Sequence, residues 1–277
     1  MAISSADFTY VQTLVRDRAA IVLEDRQGYL VEARLSPVAR AAGMDSVGAL
    51  VTRLRASHPG GLHSRVVEAM TTNETSFFRD IHPFEALERH LLPELIARRA
   101  AQRRLSIWSA ACSSGQEPYT VAMVLADRFP QLRGWDVRIL ATDISTQMLQ
   151  RASAGRYSQL EMNRGLPAVR LVRHFTRVGM EWEASAALRA AVEFRPLNLV
   201  EPWPPIAPVD VVLLRNALIY FSPVTKREIL ARVRRVLRPD GFLILGSAET
   251  TLGLDEHFER LQVGAASCYR LRAERTP

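Results

Sequence analysis

Leu105-Ser-Ile-Trp-Ser-Ala-Ala-Cys-Ser-Ser-Gly-Gln-Glu-Pro-Tyr119 decides the fold. Leu105–Ser109 reads as a strand. A run of small residues then makes a turn, and a helix follows through Tyr119–Phe129. The same alternation continues down the chain. Val137–Thr142 is a second strand, with a helix from about Ser145 to Ala154. Val192–Arg195 is a third. Val209–Leu214 is a fourth, nearly all apolar, as a strand buried on both faces must be. A helix from Pro223 to Leu237 is closed by Pro239-Asp-Gly241, and Phe242–Leu245 is a fifth strand. Leu261–Val263 and Ser267–Leu271, split by Gly264, form a terminal hairpin. Strands alternating with helices give an α/β fold with an open, mostly parallel sheet, which binds ligands beyond the carboxyl ends of its strands.

Polar residues stand at four of those ends in turn. Ala110–Gly115 after the first strand lets a ligand approach the backbone at a helix start. A tight turn needs no more than that, and the run lacks the G-x-G-x-x-G of a dinucleotide fold. Glu117 follows in the first helical turn, where it either complements the helix dipole or holds a cationic ligand group. Asp143 ends the second strand, where a ribose diol is gripped, although a helix N-cap also suits an Asp there. Asn198-Leu199 follows the third strand and suits an adenine edge and face; Asn is also common in turns. Arg215-Asn216 follows the fourth, and an arginine ending a buried apolar strand needs a partner. Together the four ends point to a nucleoside ligand without a phosphate cradle.

Residues 1–70 are different. Phe8, Val11, Leu14 and Val15 recur at helical spacing, as do Val47, Leu50, Val51 and Leu54. Ser36-Pro37 is expected as an N-cap with proline in the first turn, and Gly43 as a stop. The expectation is a small all-α domain over 1–70, a linker over 71–95, and the sheet domain over 96–277. The 277 residues are 48% hydrophobic and 23% charged, which fits a folded protein and argues against disorder over most of the chain. No run is long and apolar enough for a membrane span, and no secretory leader is visible, so no membrane insertion is expected. Two cysteines, Cys112 and Cys268, exclude a disulfide framework and a cysteine-based zinc site, and no metal is expected; a cytoplasmic setting follows. The net charge is +7, yet of 36 basic residues 35 are Arg and one, Lys226, is Lys. A compositional habit of the source genome is the favoured explanation, with an acidic partner as the functional alternative.

The junction of the two halves reads Met70-Thr-Thr-Asn-Glu-Thr-Ser-Phe-Phe-Arg-Asp80, too rich in polar and paired aromatic residues for a bland linker. Thr72–Arg79 closely resembles the T-N-x-T-x-F-F-R signature of the CheR-type chemotaxis receptor methyltransferases. Ser109–Tyr119 resembles their small-residue loop ending in E-P-Y. Ala141–Ile144, Asn198-Leu199 and Arg215-Asn-Ala-Leu-Ile-Tyr-Phe221 resemble the remaining blocks, in order, from about residue 8 to 271. Gln116 and Ala217 depart mildly from the family's usual Glu and Val. The resemblance implies a Rossmann-like S-adenosylmethionine-dependent methyltransferase sheet with a short β subdomain inserted at about 172–194. It implies transfer of a methyl group to glutamate side chains on the cytoplasmic helical region of chemoreceptors, with S-adenosylhomocysteine as product. By resemblance, Asn73, Thr75 and Arg79 wall the cofactor and substrate side of the cleft, Glu117 faces the cofactor's amino-acid part and Asp143 its ribose. Asn198 and Leu199 then lie around the adenine, Arg215 and Asn216 nearby, and Tyr220 by the methyl. Arg79 and Tyr220 are the expected catalytic residues.

Arg34 and Arg40 match basic positions the family uses for receptor recognition, and Arg26 joins them if one helix runs through all three. In some family members the β subdomain captures a receptor tail peptide by strand addition. Here only residues 176–191 separate Phe175 from Val192, Gly179 is the sole glycine, and Ala184–Ala191 can be helical, so no tail docking is expected. Three rival readings fit the sequence less well. A nucleic-acid methyltransferase would suit the pI of about 10.1, but the N-P-P-Y or D-P-P-Y tetrapeptide is missing and no nucleic acid is expected. A non-catalytic S-adenosylmethionine-binding regulator is opposed by the intact Thr72–Arg79 motif and Tyr220. A nicotinamide-dependent oxidoreductase is opposed by the glycine-poor first turn.

Overall fold

The computed structural model describes residues 3–272; the ends of the expected domains at 1–2 and 273–277 lie outside the described residues. The chain divides into two compact units. One comprises Met1–Thr72 with Asn198–Pro202 and Tyr220–Thr225; the other comprises the rest.

The first unit is built on four helices: α1 (Ser5–Ala19), α2 (Gly28–Ala41), α3 (Val47–Arg55) and α4 (Gly61–Met70). Ser4 and Ser46 cap α1 and α3 by accepting from Asp7 N and Ala49 N. The apolar stripes read from the sequence meet in one core: Val11, Val15, Val31, Leu35, Leu50, Val51 and Val66 are fully buried. Ser36-Pro37 does not start a helix as expected. The helix α2 runs straight through it, and Ser36 Oγ donates to Glu32 O at 2.7 Å. Pro37 removes the donor that Ala33 O would have used, but Ala33 and Pro37 are both exposed, so water can replace it. Gly43, at φ +73°, does mark the stop. Arg26 lies in a separate 3-10 turn, Asp25–Gln27, so the single helix through Arg26, Arg34 and Arg40 does not form. Arg34 and Arg40 share α2, about 120° apart around its axis.

The second unit opens with α5 (His82–Ala86), a π turn (Leu87–Leu91) and α6 (Leu92–Arg98). Much of the expected linker 71–95 is therefore core helix. Phe84, Leu87, Leu91, Leu92 and Leu95 are buried at helical spacing, a periodicity the Phe-rich motif before them obscured. Then come β1 (Arg104–Ala110), α7 (Gln116–Arg128), β2 (Asp136–Asp143) and α8 (Thr146–Ala154), followed by β3 (Arg156–Ser158), α9 (Gln159–Asn163) and α10 (Ala168–His174). The strands β4 (Phe175–Val178) and β5 (Glu181–Ala184), the helix α11 (Ala186–Ala190) and the strands β6 (Val192–Pro196) and β7 (Val209–Leu214) precede α12 (Pro223–Val236), β8 (Leu237–Leu245), β9 (Phe258–Val263) and β10 (Ala266–Leu271).

The main sheet has the order β6-β2-β1-β7-β8-β10-β9. The first five are parallel and the terminal hairpin is antiparallel. Because β1 pairs with both β2 and β7, the strand order reverses there, and such a switch point opens a crevice beyond the strand ends. The inserted β subdomain is the three-stranded sheet β3-β5-β4. It begins earlier than the expected 172–194, because Arg156–Ser158 is too short to read as a strand, and it ends before Val192, which belongs to the main sheet.

Pro239-Asp-Gly241 was expected to separate helix from strand. Instead β8 starts at Leu237 and the segment bulges: Val209 pairs with Leu237, but Val211 pairs with Phe242. Between them sits Asp210, fully buried, accepting from Arg99 Nε at 2.7 Å and Ser106 N at 2.8 Å. Arg99 also makes a bidentate pair with Asp240, at 2.9 and 2.6 Å, which holds the bulge.

Candidate active site

In the sheet unit the switch-point loops carry the expected residues. After β1, Ala111, Ser113 and Gly115 adopt φ of +62°, +50° and +92°. Two of these three are not glycine, and such conformations persist only where surrounding contacts impose them. Asp143 imposes one: its Oδ2 accepts from Ser113 N at 2.8 Å and its Oδ1 from Ser145 N at 2.9 Å. The N-cap of α8 is Ser145, and the Asp143 carboxylate lies buried at the end of β2. Ser113 Oγ in turn donates to Asn73 O at 2.8 Å, tying the motif segment to the loop.

A second network crosses the same strand ends. Glu117 is buried, accepts from Ser109 Oγ at 2.8 Å, and pairs with Arg215 Nη1 at 3.0 Å. Arg215 Nη2 donates to Arg79 O at 2.7 Å and to Asp80 at 3.0 Å, and the guanidinium lies over the Phe84 ring. The partner demanded by a buried terminal arginine is thus Glu117, with Asp80 outside it. Arg215 Nε is buried without a partner. The Arg79 guanidinium is half-buried, with Nη1 on Glu74 O at 2.8 Å. The Glu74 carboxylate is held below the usual range by its hydrogen bond and ion pair with Arg164, and by Arg79. Thr75 is half-buried on the same segment.

Several contacts of this arrangement went unread in the sequence. Phe78, at φ +51°, donates its N–H to Thr120 Oγ1 at 3.2 Å. Glu249 accepts from Gly246 N and Asn216 N, both at 2.7 Å, and from Ile219 N at 3.2 Å, and so holds the Arg215–Ile219 segment in shape, with Asn216 at φ +57°. Gly246 has no room for a side chain: a Cβ would lie 2.7 Å from Glu249 and 2.8 Å from Asn216. The strand-end rule, carried to the fifth parallel strand, reaches both. Asp80 had its signal in standing directly after the motif.

The helical unit holds the other candidates. Asn198 Nδ2 donates to Arg18 O at 2.7 Å, and Asn198 Oδ1 accepts from Val200 N. Leu199 is buried and Tyr220 half-buried at the end of a 3-10 turn, Leu218–Tyr220. Arg34 Nη1 donates to Met70 O at 2.8 Å and Thr71 O at 2.9 Å, with Nη2 on Thr72 Oγ1, so it closes the C-terminus of α4. Arg40 is exposed.

The profile of the CheR methyltransferase SAM-binding domain matches residues 73–266, and that of the CheR methyltransferase all-alpha domain matches residues 6–71. The chain belongs to the CheR methyltransferase family. Chemotaxis protein methyltransferase 1 of Pseudomonas aeruginosa is 44% identical over 98% of this chain and 100% of its own length. Chemotaxis protein methyltransferase Cher2 of Pseudomonas putida is 40% identical over the same shares. The chemotaxis protein methyltransferase of Escherichia coli is 35% identical over 93% of this chain and 89% of its own. As a CheR methyltransferase the chain takes S-adenosylmethionine, and the polar set fits that molecule. A buried carboxylate at the end of β2 suits hydroxyl donors, and the unpartnered Arg215 Nε suits an acceptor such as the cofactor's carboxylate. The CheR fold carries no helix, among the described residues, long and apolar enough to cross a membrane.

Proposed function

We propose that this methyltransferase esterifies glutamate side chains on the cytoplasmic helical region of chemoreceptors. The observation that carries the reading is the fixing of Arg79: its carbonyl is gripped by buried Arg215 and its guanidinium leans on Glu74 O, half-exposed. An arginine pinned through its own backbone is suited to orient an incoming carboxylate. S-adenosylmethionine, when bound, supplies an activated methyl group on a sulfonium. The chain has little proton chemistry to perform, because a glutamate with an ordinary pKa of about 4.3 is already ionised at neutral pH. Its work is placement: holding the acceptor oxygen in line at near-attack distance, an effect that reaches roughly 7–11 kcal/mol in well-oriented systems. Arg79 orients the acceptor by a contact short of a tight bidentate pair, which would blunt the nucleophile. Tyr220 is the second orienting group, and Asn73, Thr75, Glu117, Asp143, Asn198, Leu199, Arg215 and Asn216 form the cofactor's surroundings.

Receptor recognition is assigned to the helical unit. Arg40 is the contact for an acidic helical substrate, while Arg34, engaged with Met70 and Thr71, supports that surface from within. Tail capture by the β subdomain is not part of the proposal. Its edge strands, β3 and β4, have three and four residues, too few for a long added strand. The basic composition does not favour nucleic acid either. Arg98 pairs with Glu94, Arg99 with Asp210 and Asp240, and Arg104 with Asp136, so much of that cluster is neutralised internally. The test incubates the protein with labelled S-adenosylmethionine and receptor cytoplasmic fragments and looks for base-labile methyl esters. Base-stable label, or label on RNA alone, defeats the reading. Saturable micromolar binding of receptor tail peptides would defeat the tail-independent part.

A further inference from the structure

We propose that Tyr157, on β3 of the inserted sheet, is a positioning residue for the cofactor loop after β1. The inference rests on the reading of that loop as part of the S-adenosylmethionine site. Tyr157 is fully buried, and its hydroxyl donates to Ser114 O at 2.7 Å. Ser114 sits between Ser113 and Gly115, both in left-handed conformations, so its peptide is where the loop most needs an external hold. The other holds come from Asp143 and the carbonyl of Thr142, both on β2, and from Asn73 on the motif segment. Tyr157 adds a fourth, from an element with no other evident part in the cofactor site.

The ring is itself fixed. It meets Phe77 of the motif edge-on at 5.1 Å between centroids, Phe175 of β4 at 6.3 Å and Tyr119 of α7 at 6.4 Å. Phe77 also meets Phe175 at 5.5 Å. The loop is closely packed at Gly115 as well. A Cβ there would stand 2.8 Å from Ala152 Cβ and 3.2 Å from the Tyr157 hydroxyl, so the position accepts no side chain. Burial pushes the Tyr157 phenol well above its ordinary value, so the group remains a donor at neutral pH. The inserted sheet therefore braces the cofactor loop and the Phe77 segment at once.

Tyr119 provides the control. It is equally buried in the same aromatic cluster and donates a hydrogen bond of the same 2.7 Å length, but to Ala152 O in α8 rather than to the loop. The experiment measures S-adenosylhomocysteine affinity by calorimetry and thermal stability for the full chain, Tyr157→Phe and Tyr119→Phe. Both variants lose one buried hydrogen bond and drop in Tm by similar amounts. Tyr157→Phe alone weakens S-adenosylhomocysteine, by about three- to tenfold. Affinity within about twofold of wild type in Tyr157→Phe, or an equal loss in Tyr119→Phe, overturns the inference while leaving the cofactor reading intact. Absence of binding by wild type overturns both. Hydrogen exchange of the wild-type chain gives a reading independent of any variant. S-adenosylhomocysteine must protect Arg156–Ser158 along with residues 110–117, and protection confined to 110–117 refutes the brace.

Discussion

Removal of Arg215 should unfold the sheet unit at markedly lower urea. Its side chain is 2% exposed and that of its partner Glu117 11%, so neither charge is solvated. In Arg215→Ala, Glu117 keeps only Ser109 Oγ as a donor among the described contacts, and the carbonyl of Arg79 loses its partner. Breaking a buried pair from one side costs about 3–5 kcal/mol, because a charge is left uncompensated. The Asp80 arm adds little, since that carboxylate is 42% exposed and largely screened. For a unit of this size the loss lowers Tm by about 6–20 °C. All four tryptophans, Trp108, Trp135, Trp182 and Trp203, lie in the sheet unit, so their fluorescence follows its unfolding without interference from the helical unit. The double variant Glu117→Gln/Arg215→Ala should recover at least about 1 kcal/mol, because a neutral amide costs less to bury than an unpaired carboxylate. A single variant within about 1 kcal/mol of wild type, or a double variant no more stable than the single, would show that the pair is not the dry, mutually dependent unit described.

Asp143→Ala should weaken S-adenosylhomocysteine at least about tenfold, since each hydrogen bond to a charged acceptor contributes about 1.5–3 kcal/mol; unchanged affinity in the folded variant removes Asp143 from the site. Arg79→Ala should lower turnover far more than cofactor affinity, because its proposed contact is with the acceptor, and turnover near wild type would make it structural. Asp240 has its carboxyl held below the usual range chiefly by its hydrogen bond with Arg99, so its contribution to stability is present above about pH 4 and is lost as the pH falls through the lowered folded value. The Tm gap between wild type and Asp240→Asn should therefore narrow on acidification from pH 7 to about pH 3, and a gap independent of pH contradicts the assignment.

The sheet was legible because its strands are apolar runs cut by small-residue turns. The buried stretch Val209–Leu214 could hardly be anything else, and its bounds agree with the structure. The polar residues at the sheet's strand ends, Glu117, Asp143 and Arg215 among them, were legible from the same alternation. Three things stayed hidden for physical reasons. Pro37 lies inside α2 because the orphaned carbonyl faces water, which a local rule for proline does not weigh. The strand β3 is three residues long and is stabilised by pairing with β5 and by the contacts of its own Tyr157 with Ser114 and Phe77, all of them tertiary. The structural engagement of Arg34 depends on carbonyls 36 and 37 residues away, which no local pattern predicts.

That engagement bears on the preference for arginine over lysine. Arg215 reaches Glu117, Asp80 and the Arg79 carbonyl; Arg99 reaches Asp210 and Asp240; Arg34 reaches two carbonyls and the Thr72 hydroxyl. The guanidiniums of Arg215 and Arg99 join acceptors from separate segments of chain, and that of Arg34 gathers three acceptors on the consecutive residues Met70, Thr71 and Thr72. A lysine ammonium is a compact, strongly hydrated point charge and cannot span such sets with a planar fork. A genomic habit can explain arginines on the surface, but not the geometry at these three positions. There the side chain acts as a structural joint, and the Arg215 joint passes through the backbone of Arg79. The residue proposed to meet the substrate is thus held by the arginine that follows β7.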